Sequence, residues 1–240
     1  MNVIRLDVER DAGYRSYVRG KQQALLYYSL DYQNFLCDLL GATRETCLAI
    51  DAQGEISGIL PLLSKMGRYG KIYNSLPFFG SNGGVIAESA SAATSLIGYY
   101  NGLVTQPGVV ASTLIANPLE MRNLDGTVHN YSDYRIGQLT RIEFANDHAE
   151  SLMKMFHSKT RNMIRKAGKL GIQVARDNHQ LDFLATVHGE NMDRLGGLRK
   201  PARFFELLPR YFESDTDYKI YTATLDREMI AALLVFFFNE

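Results

Sequence analysis

Cysteine is scarce in this sequence and neither sign of charge prevails, and each deficit removes a class of protein. Only Cys37 and Cys47 occur, with no Cys/His cluster about them, which excludes a disulfide scaffold and a zinc finger; no metal site is expected. A reducing, cytoplasmic setting is the default for such a chain. Twenty-six Lys and Arg offset 26 Asp and Glu, so no global field draws the protein to nucleic acid or to anionic lipid. Binding of that kind must come from a local patch. The opening MNVIRLDVERDAGYR is charged throughout and lacks the apolar core of a signal peptide, so export is not expected. The longest apolar run, Met229 to Phe238, is about half the ~18 residues of a membrane span, and no stable membrane insertion is expected. Familiar signatures are missing too: neither of the phosphate-binding patterns GxxxxGK(S/T) and GxGxxG is present, nor the GxSxG elbow and HExxH of hydrolases.

What is present suffices for a sizeable core, since 46% of the 240 residues are hydrophobic and the length exceeds the ~150 residues usual for one domain. Periodicity then sketches the elements. Val3–Leu6 reads as a strand and Arg10–Gln23 as a polar helix. Leu30–Leu40 is a helix whose Phe35, Leu36, Leu39 and Leu40 recur at steps of three and four, with Gly41 as its C-cap. Thr46–Ile50 and Ile56–Leu63 flank the turn Asp51-Ala52-Gln53-Gly54 and make a hairpin. A strand near Lys71–Ser75, a glycine-rich loop to Val85, a helix over Glu88–Val104 and strands at Val109–Ile115 and Tyr134–Phe144 complete a first α/β unit, residues 1–146. The second unit, 147–240, begins with an amphipathic helix over Ser158–Leu170, in which Ser158 is the expected N-cap, Met163, Ile164, Ala167 and Leu170 face inward, and Gly171 is the stop. Strand Ile172–Ala175, helices Leu181–Leu195 and Ala202–Phe212, and strands Lys219–Leu225 and Glu228–Phe238 follow. No low-complexity linker separates the halves, so close packing is expected. The last strand is apolar on both faces, as a covered central strand must be, and only Asn239 and Glu240 follow it. The sequence is therefore expected to be a fragment lacking its C-terminal strands and helices.

Three constellations could carry chemistry. Ser151 to Arg176 holds Lys154, Lys159, Arg161, Arg165, Lys166, Lys169 and Arg176 and no Asp or Glu, a positive island in a neutral chain. Arg161 and Arg165, four apart, share a helix face, and guanidinium suits bidentate phosphate contact; a solvated helix face explains the same run equally well. The loop from Ser75 through Phe78 and Phe79 to Gly83, Gly84 and Val85 combines glycines that let backbone approach a ligand with aromatic walls, or is a tight turn with two anchored Phe. Glu190, Asp193 and Arg194 end a helix just before Gly196-Gly197 and either line a polar cleft or make caps and ion pairs.

These segments, in order, resemble the FemAB-type branch of the Gcn5-related N-acetyltransferase superfamily, also described as BioF2-like acetyltransferases. Tyr28–Gly41 leads into Cys47-Leu48-Ala49-Ile50-Asp51 and Ile56–Leu62, then Ser75-Leu76-Pro77-Phe78 through Gly83-Gly84-Val85. Lys159–Ile172 is similar to the family's basic R-x-x-I-R-K-A-x-x-x-G helix, and Arg194-Leu195-Gly196, Phe204–Leu208 and the hairpin Ile220–Phe238 complete the series. The resemblance implies an α/β (α+β) fold of tandem acetyltransferase-like units, with mixed central sheets flanked by helices and the second unit incomplete. It also implies transfer of an acyl or aminoacyl group to an amine. In the peptidoglycan branch the donor is aminoacyl-tRNA and the acceptor a lipid-linked or nucleotide-linked muropeptide; other relatives modify polysaccharide. Implied partners are thus an acyl or aminoacyl donor, with aminoacyl-tRNA or acyl-CoA as co-substrate, and an amine-bearing cell-envelope precursor; no bound cofactor is implied.

Under that resemblance Arg161, Arg165 and Lys166 hold phosphates, Ser75, Phe78, Gly83, Gly84 and Arg194 contact substrate, backbone N–H groups near Gly83 and Gly84 or those of a neighbouring strand face an oxyanion, and Glu190 or Asp193 accepts a proton. Two departures matter. The acyl-CoA loop (Q/R)-x-x-G-x-(G/A) is nearly met by Arg165–Leu170 but fails at Leu170, so pantetheine-phosphate binding is unsupported. The long helical hairpin of some aminoacyl-tRNA users is missing between Arg176 and Tyr218, and the family's C-terminal half-site is expected beyond Glu240. The rival to an enzyme is a polyanion-binding module that uses the helix 158–170.

Overall fold

A strand covered on both sides must be apolar at successive positions, and Cys47-Leu48-Ala49 meets that demand at the centre of the first unit. The computed structural model describes residues 1–76, 82–120 and 148–239. Their contacts define two compact units: Met1–Tyr134 with Leu207–Phe212 and Phe237–Glu240, and Arg135–Glu206 with Glu213–Phe236. The Tyr134–Phe144 strand expected from the sequence lies outside the described residues.

The first unit runs β1 (Asn2–Arg5), α1 (Asp11–Arg19), α2 (Leu30–Leu40), β2 (Thr43–Arg44), β3 (Cys47–Ile50), β4 (Ile56–Leu60), β5 (Leu63–Met66), β6 (Lys71–Asn74), β7 (Ile86–Ala87), α3 (Ala90–Val104) and β8 (Val109–Thr113). One antiparallel sheet has the order β1-β3-β4-β7; a second, β2-β5-β6-β8, is antiparallel except where β6 meets β8. That parallel pair requires a crossover, which α3 supplies. Period-2 alternation then divides the core. Cys47, Ala49 and Leu60 face α3 residues Ala93, Leu96, Ile97 and Tyr100, whereas Leu48 and Ile59 join Tyr14, Val18, Tyr28 and Leu30 in a separate cluster. Each fully buried Leu, Ile or Val among them contributes roughly 1.5–3 kcal/mol.

Local chemistry sets the element ends. Ser29 caps α2 by accepting the Tyr32 N–H at 3.1 Å, and Gly41, at φ 61°, supplies the left-handed C-cap that the sequence implies. The expected strand Ile56–Leu63 divides instead into β4 and β5, because Pro61 has no N–H for the ladder and the chain changes sheet there. Polar groups beneath the sheet are paired. Gln33 Nε2 donates to Tyr14 Oη at 2.9 Å and to the Tyr28 carbonyl at 3.1 Å, Thr46 Oγ1 donates to Gln33 Oε1 at 2.6 Å, and Tyr28 Oη donates to the Gly84 carbonyl at 2.9 Å. Burial pushes both tyrosine hydroxyls well above their ordinary range, so they act as fixed donors.

The second unit contains α4 (His148–Met155), α5 (Ser158–Lys169), β9 (Gln173–Arg176), α6 (Leu181–Leu195), the first part of α7 (Ala202–Tyr211), β10 (Tyr218–Leu225) and β11 (Glu228–Phe236), with the sheet order β11-β10-β9. Tyr218, Ile220 and Thr222 put one face of β10 inward, and α6 packs on β11. Two expectations need correction. His157, not Ser158, is the N-cap of α5: its Nδ1 accepts the Lys159 N–H at 3.2 Å. The apolar arc of α5 does not face inward, for Met163, Ile164 and Leu170 are 59, 44 and 56% exposed. Strand β11 pairs only with β10 among the described residues and leaves Ile230 and Leu233 exposed.

Candidate functional site

In the first unit, the expected contact residues Ser75, Gly83 and Gly84 stand together where the chain leaves β6 and approaches β7. Ser75 Oγ accepts the Ile115 N–H at 2.7 Å, and the Gly83 N–H is donated back to the Ile115 carbonyl at 3.2 Å, so these polar groups knit loop to loop. The absence of side chains is a steric requirement. A Cβ on Gly83 would stand 2.8 Å from the Ser75 carbonyl, and one on Gly84 2.7 Å from the Asn117 nitrogen. Asn117 is itself anchored, donating from Nδ2 to the Gln23 carbonyl at 2.8 Å. Phe78 lies outside the described residues.

In the second unit, Arg161 and Arg165 meet Glu150, Met153 and Lys154 around an open hollow of about 370 Å³. The helical spacing of four brings the arginines to one side, as their sequence spacing implies. Glu150 ion-pairs with Lys154 at 2.9 Å, leaving the two guanidinium charges in excess at the hollow. Arg161 Nη1 also donates to the Phe156 carbonyl at 2.5 Å and the Lys154 carbonyl at 3.4 Å, filling acceptors at the end of α4. Arg165 Nη1 reaches Asn162 Oδ1 at 3.5 Å. Lys166 is exposed, one step round the helix from Arg165. The hollow depends on α4, whose Glu150 and Met153 no motif in the sequence singles out; only the i, i+4 spacing of Glu150 and Lys154 hints at a shared helix face.

Glu190, Asp193 and Arg194 occupy the last turns of α6, all exposed. Asp193 is engaged by Arg199 in a close two-point ion pair, and Arg194 Nη2 donates to Asn191 Oδ1 at 2.7 Å. Gly196, at φ 64°, ends the helix. Nearby, His188 Nε2 accepts the Lys200 N–H at 2.9 Å, and burial with the Lys200 charge holds the imidazole below its ordinary value. Burial works against either thiol as a nucleophile: Cys47 is fully enclosed with its thiol pushed up to about 12, and burial also raises the thiol of half-buried Cys37. Among the described residues no group of three or more His, Cys, Asp or Glu is placed to hold a metal ion.

Comparison with solved structures places this architecture. The crystal structure of FemX superposes with a TM-score of 0.62 at 16% identity, over 94% of this chain and 58% of the FemX chain. A probable acetyltransferase matches over 61% of this chain and all of its own, at 10% identity and a TM-score of 0.36, a likeness below that of a shared fold. No family model and no curated protein sequence matches the chain. The protein is thus a mixed α/β chain with the fold of FemX, in line with the resemblance carried by its motifs. It spans just under three fifths of FemX's length.

Proposed function

We propose that this protein is an N-acyltransferase that moves an acyl or aminoacyl group from an activated donor to an amine. The observation that carries the proposal is the FemX fold running through 94% of the chain; the doubled arginine at the hollow supports it. In the reaction the amine nitrogen attacks the carbonyl carbon of an ester or thioester, a tetrahedral oxyanion forms, and the oxygen or sulfur leaving group departs with the electron pair. The amine proton passes to a base and the leaving group takes one up. Such chemistry needs positioning, a proton acceptor and donors aimed at the oxyanion, and no covalent nucleophile. Arg161, Arg165 and Lys166 hold phosphates of donor or acceptor. Of the two carboxylates, Glu190 suits proton acceptance better than Asp193, which Arg199 already occupies. The Gly83 N–H is committed to Ile115, so an oxyanion donor in that loop must be another backbone group. The acceptor class is an amine-bearing cell-envelope precursor, a muropeptide or a surface polysaccharide.

The test is calorimetry with aminoacyl-tRNA, acetyl-CoA and a nucleotide-linked muropeptide, each at low and moderate salt, on the wild type and on Arg161→Ala/Arg165→Ala. Saturable binding of one ligand, weakened at least tenfold in the double variant, is the expected result. A second reading draws on the openness of the hollow: a polyanion module using α5 would bind tRNA regardless of its aminoacyl group and lose it steeply with salt.

A further inference from the structure

Balanced composition leaves any attraction to an anionic surface to a local patch, and α5 carries one of an unusual kind. At ~100° per residue, Leu170, Met163, Ala167 and Ile164 fall within an arc of about 120°. Lys159 and Lys166 border that arc on one side and Arg161 on the other, while Arg165 and Lys169 lie opposite. In a soluble domain such an arc is the face a helix buries. Here α5 buries no residue at all, and Met163, Ile164 and Leu170 stand open to solvent. Of the seven Lys and Arg between Ser151 and Arg176, Lys154 pairs with Glu150 and Arg176 with Asp215, but α5 itself carries the other five and no acid.

We propose that α5 is an interfacial helix that docks the chain on an anionic phospholipid bilayer. Its apolar arc would enter the boundary between headgroups and acyl chains, and its bordering lysines would reach back to lipid phosphates. Among the described residues no helix is long and apolar enough to cross a membrane, so α5 lies in the plane of the surface. Charge decides among occupants. A second copy meeting the arc face to face would bring two strongly cationic helices together, and a nucleic acid would use the cations but have no use for three exposed apolar side chains. An anionic bilayer satisfies both halves of the pattern. The inference does not rest on the acyltransferase reading: Arg161 and Arg165 open toward the hollow, whereas Met163, Ile164 and Leu170 point elsewhere on the helix.

The experiment is cosedimentation of the full chain with vesicles of phosphatidylglycerol and phosphatidylcholine mixed, or of phosphatidylcholine alone. Binding to the mixed vesicles only is expected. Ile164→Glu/Leu170→Glu should weaken it at least tenfold with an unchanged far-UV circular dichroism spectrum, and Lys159→Ala on the order of fivefold. The chain has no tryptophan, so Met163→Trp provides a single reporter whose emission should shift to the blue on mixed vesicles, while Lys169→Trp should not shift. Equal binding to both vesicle types overturns the proposal. So does binding that Ile164→Glu/Leu170→Glu leaves intact and that a single-stranded oligonucleotide abolishes, and so does a vesicle-free dimer that the same double variant disperses.

Discussion

Glu45 offers the sharpest test of how the first unit is held together. Its carboxylate is 5% exposed and lies between Arg5 Nη1 at 2.7 Å and Lys71 Nζ at 2.6 Å, with Ser64 Oγ donating at 2.8 Å. Removing one member of a buried ion pair costs ~3–5 kcal/mol when the remaining charge stays buried. Here the Arg5 and Lys71 side chains are 51 and 31% exposed and can be rehydrated, which lowers the cost, whereas Ser64 is buried and loses its acceptor, which adds ~1–3 kcal/mol. Glu45→Leu should therefore destabilise the unit by about 2–4 kcal/mol at pH 7. Glu45→Gln keeps an oxygen for Ser64 and should cost about 1–3 kcal/mol. The acid dependence is distinctive. Burial alone would raise the carboxyl, but the hydrogen bonds from Lys71 and Ser64 and the charges of Arg5 and Lys71 outweigh it and hold it below its ordinary value of 4.5. A carboxyl depressed in the folded state binds more protons when unfolded. Its stabilisation is complete above the unfolded value and drains away as pH falls through the folded one. Hydrogen exchange across residues 43–66, read at pH 7, 5 and 3.5, should show the gap between wild type and Glu45→Gln wide at neutral pH and narrowing in acid. A gap of the same size at every pH would refute this account of the Glu45 cluster.

Gly84→Ala should lower the melting temperature by several degrees, because the new Cβ meets the Asn117 nitrogen and the Ala116 Cα at 2.7 and 2.8 Å, whereas Gly102→Ala in α3 meets nothing within 4 Å and should match or exceed the wild type; equal losses would remove the steric argument. Tyr28→Phe leaves the Gly84 carbonyl without its donor and should cost ~1–3 kcal/mol in urea titration; an unchanged midpoint counts against that bond. His188 accepts the Lys200 N–H as the neutral imidazole, and burial and Lys200 lower its folded value below the ordinary 6.5, so stability should fall as pH drops through the interval between the two. A proton NMR titration should place its midpoint under 6.5, and a midpoint above that value would reverse the sign.

Much of this fold is written locally. Leu30–Leu40 and Leu181–Leu195 are legible residue for residue because each ends on a glycine in the left-handed region, a signal contained in the segment itself. The Asp51–Gly54 turn is legible for the same reason. The two-residue strands β2 and β7 are not, since they are too short for alternation and exist only because a neighbouring strand offers a ladder. Gly83 and Gly84 show a related limit. Sequence marks them as glycines that let something approach closely, but the groups that approach are Ser75, Leu76, Ala116 and Asn117 of the same chain, and nothing local distinguishes these from a ligand.

The same limit shapes the second unit, where periodicity specifies an apolar arc without specifying what covers it. On α5 the spacing of Arg161 and Arg165 correctly places both at one hollow, and the spacing of Met163, Ile164 and Leu170 correctly places them on one arc, yet their exposure depends on neighbours distant in sequence. That separation makes the two proposals for this helix independently testable. A substitution in the apolar arc should change partition onto a bilayer and leave ligand binding at the hollow intact. Arg161→Ala/Arg165→Ala should weaken binding at the hollow by far more than it weakens lipid binding, which would retain the apolar arc and the remaining lysines. A helix serving only as a diffuse polyanion patch would not divide in this way: affinity would fall with each cation removed, wherever on the circumference it lay, and would ignore the apolar residues altogether.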